Sequence, residues 1–78
     1  MRIFTLSKIG DNFASSPSNN PSDSLLVLYW MRRNQGKATD TQLMQFVVPR
    51  FETPNKWRFQ KVIQGLKENG AINEVGRD

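Results

Sequence analysis

The chain has no cysteine and no histidine among its 78 residues. Without cysteine there is no disulfide framework and no thiolate zinc site, and a small secreted domain would more often carry cysteines. Without histidine, the commonest general base and the commonest metal ligand are both missing. The carboxylates do not cluster either. The expectation is therefore a chain that is not an enzyme, with no catalytic residue, no metal ligand set and no cofactor. No apolar run approaches the roughly 20 residues of a membrane span, and the N-terminus has no apolar signal-peptide segment, so no membrane association is expected and the setting should be intracellular. Internal repeats are absent. A chain this short makes one small domain that buries only about two thirds of its unfolded surface, so its core is thin.

What the sequence does have is positive charge in two places. The net charge is +4 and the calculated isoelectric point about 10.0, a balance that suits an anionic partner. Residues 54–69 carry Lys56, Arg58, Lys61 and Lys67 against Glu68 alone, and Arg32, Arg33 and Lys37 form the second group.

The most strongly patterned stretch is 53–72. Thr53 offers a side-chain oxygen for a helix N-cap, and Pro54 follows at the first helical position. Phe59, Val62, Ile63 and Leu66 fall at i, i+3, i+4 and i+7, one apolar stripe of a helix. Gly70 suits the C′ position, with Lys67 in the last turn. At about 100° per residue, Trp57, Lys61 and Gln64 lie roughly opposite the stripe, flanked by Arg58 and Gln60. The spacing thus predicts a helix over 54–69 with an apolar inner face and a basic, amide-rich outer face carrying one tryptophan.

Upstream, residues 2–6 are β-compatible and are read as a short strand, although Ile3, Leu6, Ile9 and Phe13 also permit an irregular helical turn. Residues 14–22 hold four serines, two asparagines and two prolines, the composition of a surface loop. Residues 1–20 are accordingly read as an N-terminal arm and loop, and residues 21–78 as the compact domain. A helix is predicted over 21–34, capped by Asn20, with Pro21 at its first position and Gly36 beyond its end. Its run from Leu25 to Met31 is apolar nearly all round, as in a central helix or one with a second face in a subunit contact. Thr39 and Gln42 have the spacing of a capping box for a short helix over 40–47, with Leu43, Phe46 and Val47 as its buried stripe. Pro49 interrupts that helix, and Phe51 is expected to plug the turn into the core. Residues 71–75 alternate like a half-buried strand.

Two helices joined by a tight turn, the second one basic, match a helix-turn-helix. From Leu28 to Ile72 the sequence resembles the winged-helix branch of helix-turn-helix DNA-binding proteins. The residues that carry the resemblance are Gly36-Lys37-Ala38-Thr39 before the short helix, Leu43 and Phe46 within it, and Phe59, Ile63 and Leu66 followed by Lys67-Glu68-Asn69-Gly70-Ala71-Ile72. The resemblance implies a mainly α fold with a small β-sheet: a three-helix winged helix-turn-helix with a short or incomplete wing. A full wing needs a hairpin, and few residues follow Val75. The wing is therefore either a stub or is completed by another strand, with residues 2–6 and the Ala38-Thr39 segment as candidates.

By that resemblance the third helix enters the major groove of double-stranded DNA, as in a small transcriptional regulator. Its outward residues are Lys56, Trp57, Arg58, Gln60, Lys61 and Gln64. Arg58 would suit a guanine edge, Gln60 or Gln64 an adenine edge, and Lys56 and Lys61 phosphates. Lys37, Thr39 and Thr41, at the start of the short helix, would take a backbone phosphate. Asn73 and Arg77 lie near the wing and complete the set. Dimerisation through helix 21–34 or the arm would let two copies read two half-sites, and the cellular location would be cytoplasmic or nucleoid-associated. The alternative is a winged-helix module for protein–protein contact without DNA binding, since fold does not fix function. The expected exposure of Trp57 and the apolar run 25–31 favour that alternative.

Overall fold

The structure is a computed structural model. It describes residues 1–16 and 18–77, with the backbone alone for Arg77. The chain runs β1 (Arg2–Leu6), α1 (Lys8–Ala14), α2 (Asp23–Arg33), β2 (Lys37–Thr39), α3 (Asp40–Phe46), a turn of 3-10 helix (Val48–Arg50), α4 (Lys56–Glu68) and β3 (Ile72–Arg77). It is a mainly helical domain with one small antiparallel sheet, in the order β2-β1-β3.

The strand nearest the N-terminus is the middle of that sheet. Ile3, Phe4 and Thr5 pair with Thr39, Ala38 and Lys37 on one side. On the other side, Arg2 to Leu6 pair with Arg77 back to Ile72. The register slips between Ile3, opposite Gly76, and Phe4, opposite Glu74, so Val75 is the extra residue of a β-bulge. Phe4 is fully buried. Residues 2–14 are therefore not an arm laid outside the compact body, and the segment after α4 finds its partner in β1. Residues 2–6 are one of the two candidate partners the sequence offered for it.

Helix α1 takes the place of an arm after the strand, where Ile9 and Phe13 had permitted an irregular helical turn. Ser7 caps it, accepting from the Gly10 N–H at 3.1 Å. The Ser7 hydroxyl lies within donating distance of the carbonyls of Gly70 and Ala71, and its N–H donates to the Ala71 carbonyl at 2.9 Å. The cap thus fastens α1 to the α4–β3 junction. Asp11 and the Ala14 carbonyl then face Arg32, at 3.3 and 3.4 Å, and tie α1 to α2.

Helix α2 starts two residues later than expected. Ser22, not Asn20, is its cap and accepts from the Leu25 N–H. Val27, Leu28 and Met31 enter the core, while Leu26, Tyr29 and Trp30 remain half-buried. Its end is a Schellman turn: the Gly36 N–H reaches the Met31 carbonyl at 2.8 Å. The first left-handed residue of that turn is Gln35, with φ 62°, ahead of Gly36 at 78°.

The reciprocal Thr39–Gln42 capping box of α3 forms as expected. Phe46 does not join the core with Leu43 and Val47. It is 49% exposed and stacks on Trp30, with ring centroids 5.8 Å apart and planes 13° apart. Leu43 and Val47 stand one above the other at i and i+4 and occupy the inward line of this short helix, which turns Phe46 to its edge. Phe51 is buried, as expected.

Helix α4 is capped by Asn55 rather than Thr53, with the Asn55 carboxamide accepting from the Arg58 N–H at 2.7 Å. Asparagine outranks threonine as a cap, and Pro54 stays in the approach to the helix instead of opening it. Phe59, Val62, Ile63 and Leu66 are all buried, so the stripe read from spacing is the inward face. Gly70, with φ 74°, closes the helix. The N–H groups of Gly70 and Ala71 return to the carbonyls of Lys67 and Leu66, which turns the chain directly into β3.

Candidate nucleic-acid interface

Because the stripe of α4 faces inward, the opposite face is exposed over its whole length. Lys56, Trp57, Arg58, Gln60, Lys61 and Gln64 are all exposed, and the helix's one carboxylate, Glu68, is at its far end. Trp57 is the most exposed large apolar side chain among the described residues, at 67%. It is not isolated, since Lys61 Nζ stands 4.2 Å from its ring centroid. The pair, one turn apart, combines a flat apolar plate with a cation, held by an attraction of roughly 0.5–1 kcal/mol at an exposed site.

The other outward residues differ in how much of their hydrogen-bonding capacity is already used. Arg58 Nε donates to Asp23 Oδ2 at 2.9 Å, bridging α4 to the first turn of α2. Gln60 Oε1 accepts from Arg2 Nη2 at 2.8 Å, and Gln64 donates to Glu68 at 3.0 Å. Lys67 faces Glu74 of β3 at 3.4 Å. Lys56 makes no ion pair or side-chain hydrogen bond among the described residues. Lys56, Trp57 and Lys61 therefore offer the most capacity to a ligand, while Arg58, Gln60 and Gln64 would exchange an internal partner for one.

At the start of α3 the amides expected to receive a phosphate are already engaged. Thr39 Oγ1 accepts from the Gln42 N–H at 3.1 Å, and Asp40 Oδ1 accepts from the Thr41 N–H at 2.8 Å. The Asp40 carboxylate also opposes a second anion at that position. Lys37 is exposed on β2, and Asn73 is exposed on β3 opposite Thr5. The side chain of Arg77 lies outside the described residues.

Arg2 was absent from the sequence-based set, yet it organises the ground beside the site. Besides Gln60, its guanidinium lies 3.7 Å from Asp40, 3.9 Å from Glu74 and 5.2 Å from the ring centroid of Phe4. It thus links β1 to α3, α4 and β3. Its partners are far along the chain, 58 residues away for Gln60, so no local pattern pointed to it.

Comparison with protein-family models, with curated proteins and with solved structures finds no match. The class defined by fold and surface is a small, mainly helical domain with a minor three-stranded antiparallel sheet, able in principle to contact nucleic acid or protein. Among the described residues, no helix is long and apolar enough to cross a membrane.

Proposed function

We propose that the chain binds double-stranded DNA by setting the outer face of α4 in the major groove, and that it acts as a small transcriptional regulator of the winged-helix type. The observation that carries this reading is the composition of that face: two lysines, a tryptophan, an arginine and two glutamines over the first turns, with Glu68 held to the end. Lys56 and Lys61 neutralise phosphates and set the register. Trp57 lies flat against the sugar edge while Lys61 turns from its ring to the backbone. Gln60 and Gln64 read adenine edges, and Arg58 reads a guanine edge by leaving Asp23. The chain works inside the cell, in the cytoplasm or on the nucleoid, and a homodimer would read two half-sites.

Duplex affinity titrated against salt tests the proposal. Wild-type binding should weaken steeply with salt, and Lys61→Ala should reduce the slope of log affinity against log salt by about one unit on any duplex. Arg58→Ala should weaken binding to a selected site by roughly 1–3 kcal/mol and to random duplex far less. Both side chains are exposed, but Arg58→Ala also takes from Asp23 its ion-pair partner, so the folded fraction of each variant is measured by circular dichroism and affinities are compared per folded molecule. If the wild-type protein shows no salt-dependent duplex binding at low ionic strength, the proposal fails.

A further inference from the structure

Arg33, from the second concentration of positive charge, borders a different kind of surface together with Arg50. Between α2 and α3 lies a cavity of about 110 Å³, walled by Leu26, Tyr29, Trp30, Phe46 and Val47, with Arg33 and Arg50 sharing its lining. Its volume equals roughly that of four waters in the liquid, which suits one aliphatic or aromatic side chain. Trp30 and Phe46 are stacked on each other and form a wall that the fold itself leaves half open. Arg33 and Arg50 are exposed, and neither guanidinium has an ion pair or hydrogen bond among the described residues. The neighbouring Arg32, by contrast, is held by Asp11.

We infer that this groove is a docking site for a segment of a partner protein that carries a large apolar side chain flanked by carboxylates. Charge complementarity selects that occupant. The apolar wall desolvates one anchoring side chain, and two unpaired guanidiniums beside it offer forked donors that match carboxylate geometry. Tryptophan and arginine beside a well-formed pocket is also the composition that dominates protein-interface energetics. A second copy of this chain fits less well, because a two-fold contact would bring the same pair of arginines toward its own image. A nucleobase fits less well too, since the tryptophan already has an aromatic partner and two of the walls are aliphatic. The groove lies on α2 and α3 and does not use the outer face of α4, so this inference stands apart from the DNA proposal.

The test uses the full chain and a synthetic amphipathic peptide of glutamate, leucine and phenylalanine, with a counterpart in which glutamine replaces every glutamate. In titrations followed by nitrogen–proton correlation spectra, the acidic peptide should shift the Trp30 indole signal and leave the Trp57 indole signal in place. The glutamine counterpart should bind about tenfold more weakly or worse. Arg33→Gln and Arg50→Gln should each weaken the acidic peptide by a similar factor, whereas Lys8→Gln, an equal change of charge on α1, should have little effect. Each of these outcomes overturns the inference: no shift at millimolar peptide; equal binding of the two peptides; a shift at Trp57 in place of Trp30; or oligothymidylate displacing the acidic peptide from Trp30 at lower concentration. A concentration-dependent dimer in sedimentation that Phe46→Glu dissociates would overturn it in favour of self-association.

Discussion

Phe4→Ala is expected to destabilise the domain by about 3–5 kcal/mol, the range for emptying a buried phenylalanine site. Phe4 is fully buried on the middle strand, opposite Ala38 on one side and Glu74 on the other. Its removal leaves a void where the sheet meets the helices, and neither neighbouring strand can close it without breaking its pairing with β1. A chain of this length has about 4–12 kcal/mol of stability in all, at roughly 0.05–0.15 kcal/mol per residue. The loss is thus a large fraction of the total and should lower the thermal midpoint on the order of 10–40 °C. Leu66→Ala, on the inward stripe of α4, should cost a comparable 2–5 kcal/mol. Thermal and urea unfolding of the two variants would compare them directly. A midpoint untouched by Phe4→Ala would mean that β1 is dispensable and that residues 21–78 fold without it.

That contrast also separates what could be read in the sequence from what could not. The stripe of α4, the Thr39–Gln42 box and the Gly70 stop were legible because each depends on residues within a turn or two of one another. Residues 2–6 were legible as a strand and as a candidate partner for residues 71–75, but the central place of β1 was not, because nothing local marks a short apolar strand as the middle of a sheet. Helix α1 was hidden for the same reason. Its sequence contains a glycine and β-branched Ile9, and what fixes it is the contact of Ser7 with backbone carbonyls 63 and 64 residues away. Phe46 was misplaced because heptad-like spacing in a helix this short cannot tell an inward position from one at its edge. At the candidate interface, the outward direction of the α4 residues followed from helical geometry. The engagement of Arg58 with Asp23 and of Gln60 with Arg2 did not, since both partners come from other elements.

The same substitution, glycine to alanine, should have opposite signs in two helices of this domain. In an open helical position alanine is favoured over glycine by about 1 kcal/mol, because glycine loses more backbone freedom on folding. Gly65 in α4 meets that condition: a β-carbon there would have nothing within 4 Å. Gly65→Ala should therefore stabilise the domain by roughly 0.5–1 kcal/mol. Gly10 in α1 is the reverse. A β-carbon there would stand 2.2 Å from the Ala71 carbonyl oxygen and 2.7 Å from Leu6 Cδ1. The leucine could swing aside, but the carbonyl belongs to the turn that closes α4 and opens β3, and it also accepts from the Ser7 N–H. To admit the methyl group, α1 must lift from that turn, which loosens the Ser7 contacts at the same time. Overpacking of this kind costs about 1–3 kcal/mol and sometimes more, and the weakened cap adds roughly 0.5–2 kcal/mol. Together these exceed the helix-propensity gain, so Gly10→Ala should destabilise the domain by on the order of 1–4 kcal/mol. Urea titration of both variants, with equal slopes required, measures the two signs in one experiment. If Gly10→Ala matched Gly65→Ala in raising the midpoint, α1 would not be seated on the α4–β3 turn, and the Ser7 cap would have to find its hydrogen bonds elsewhere.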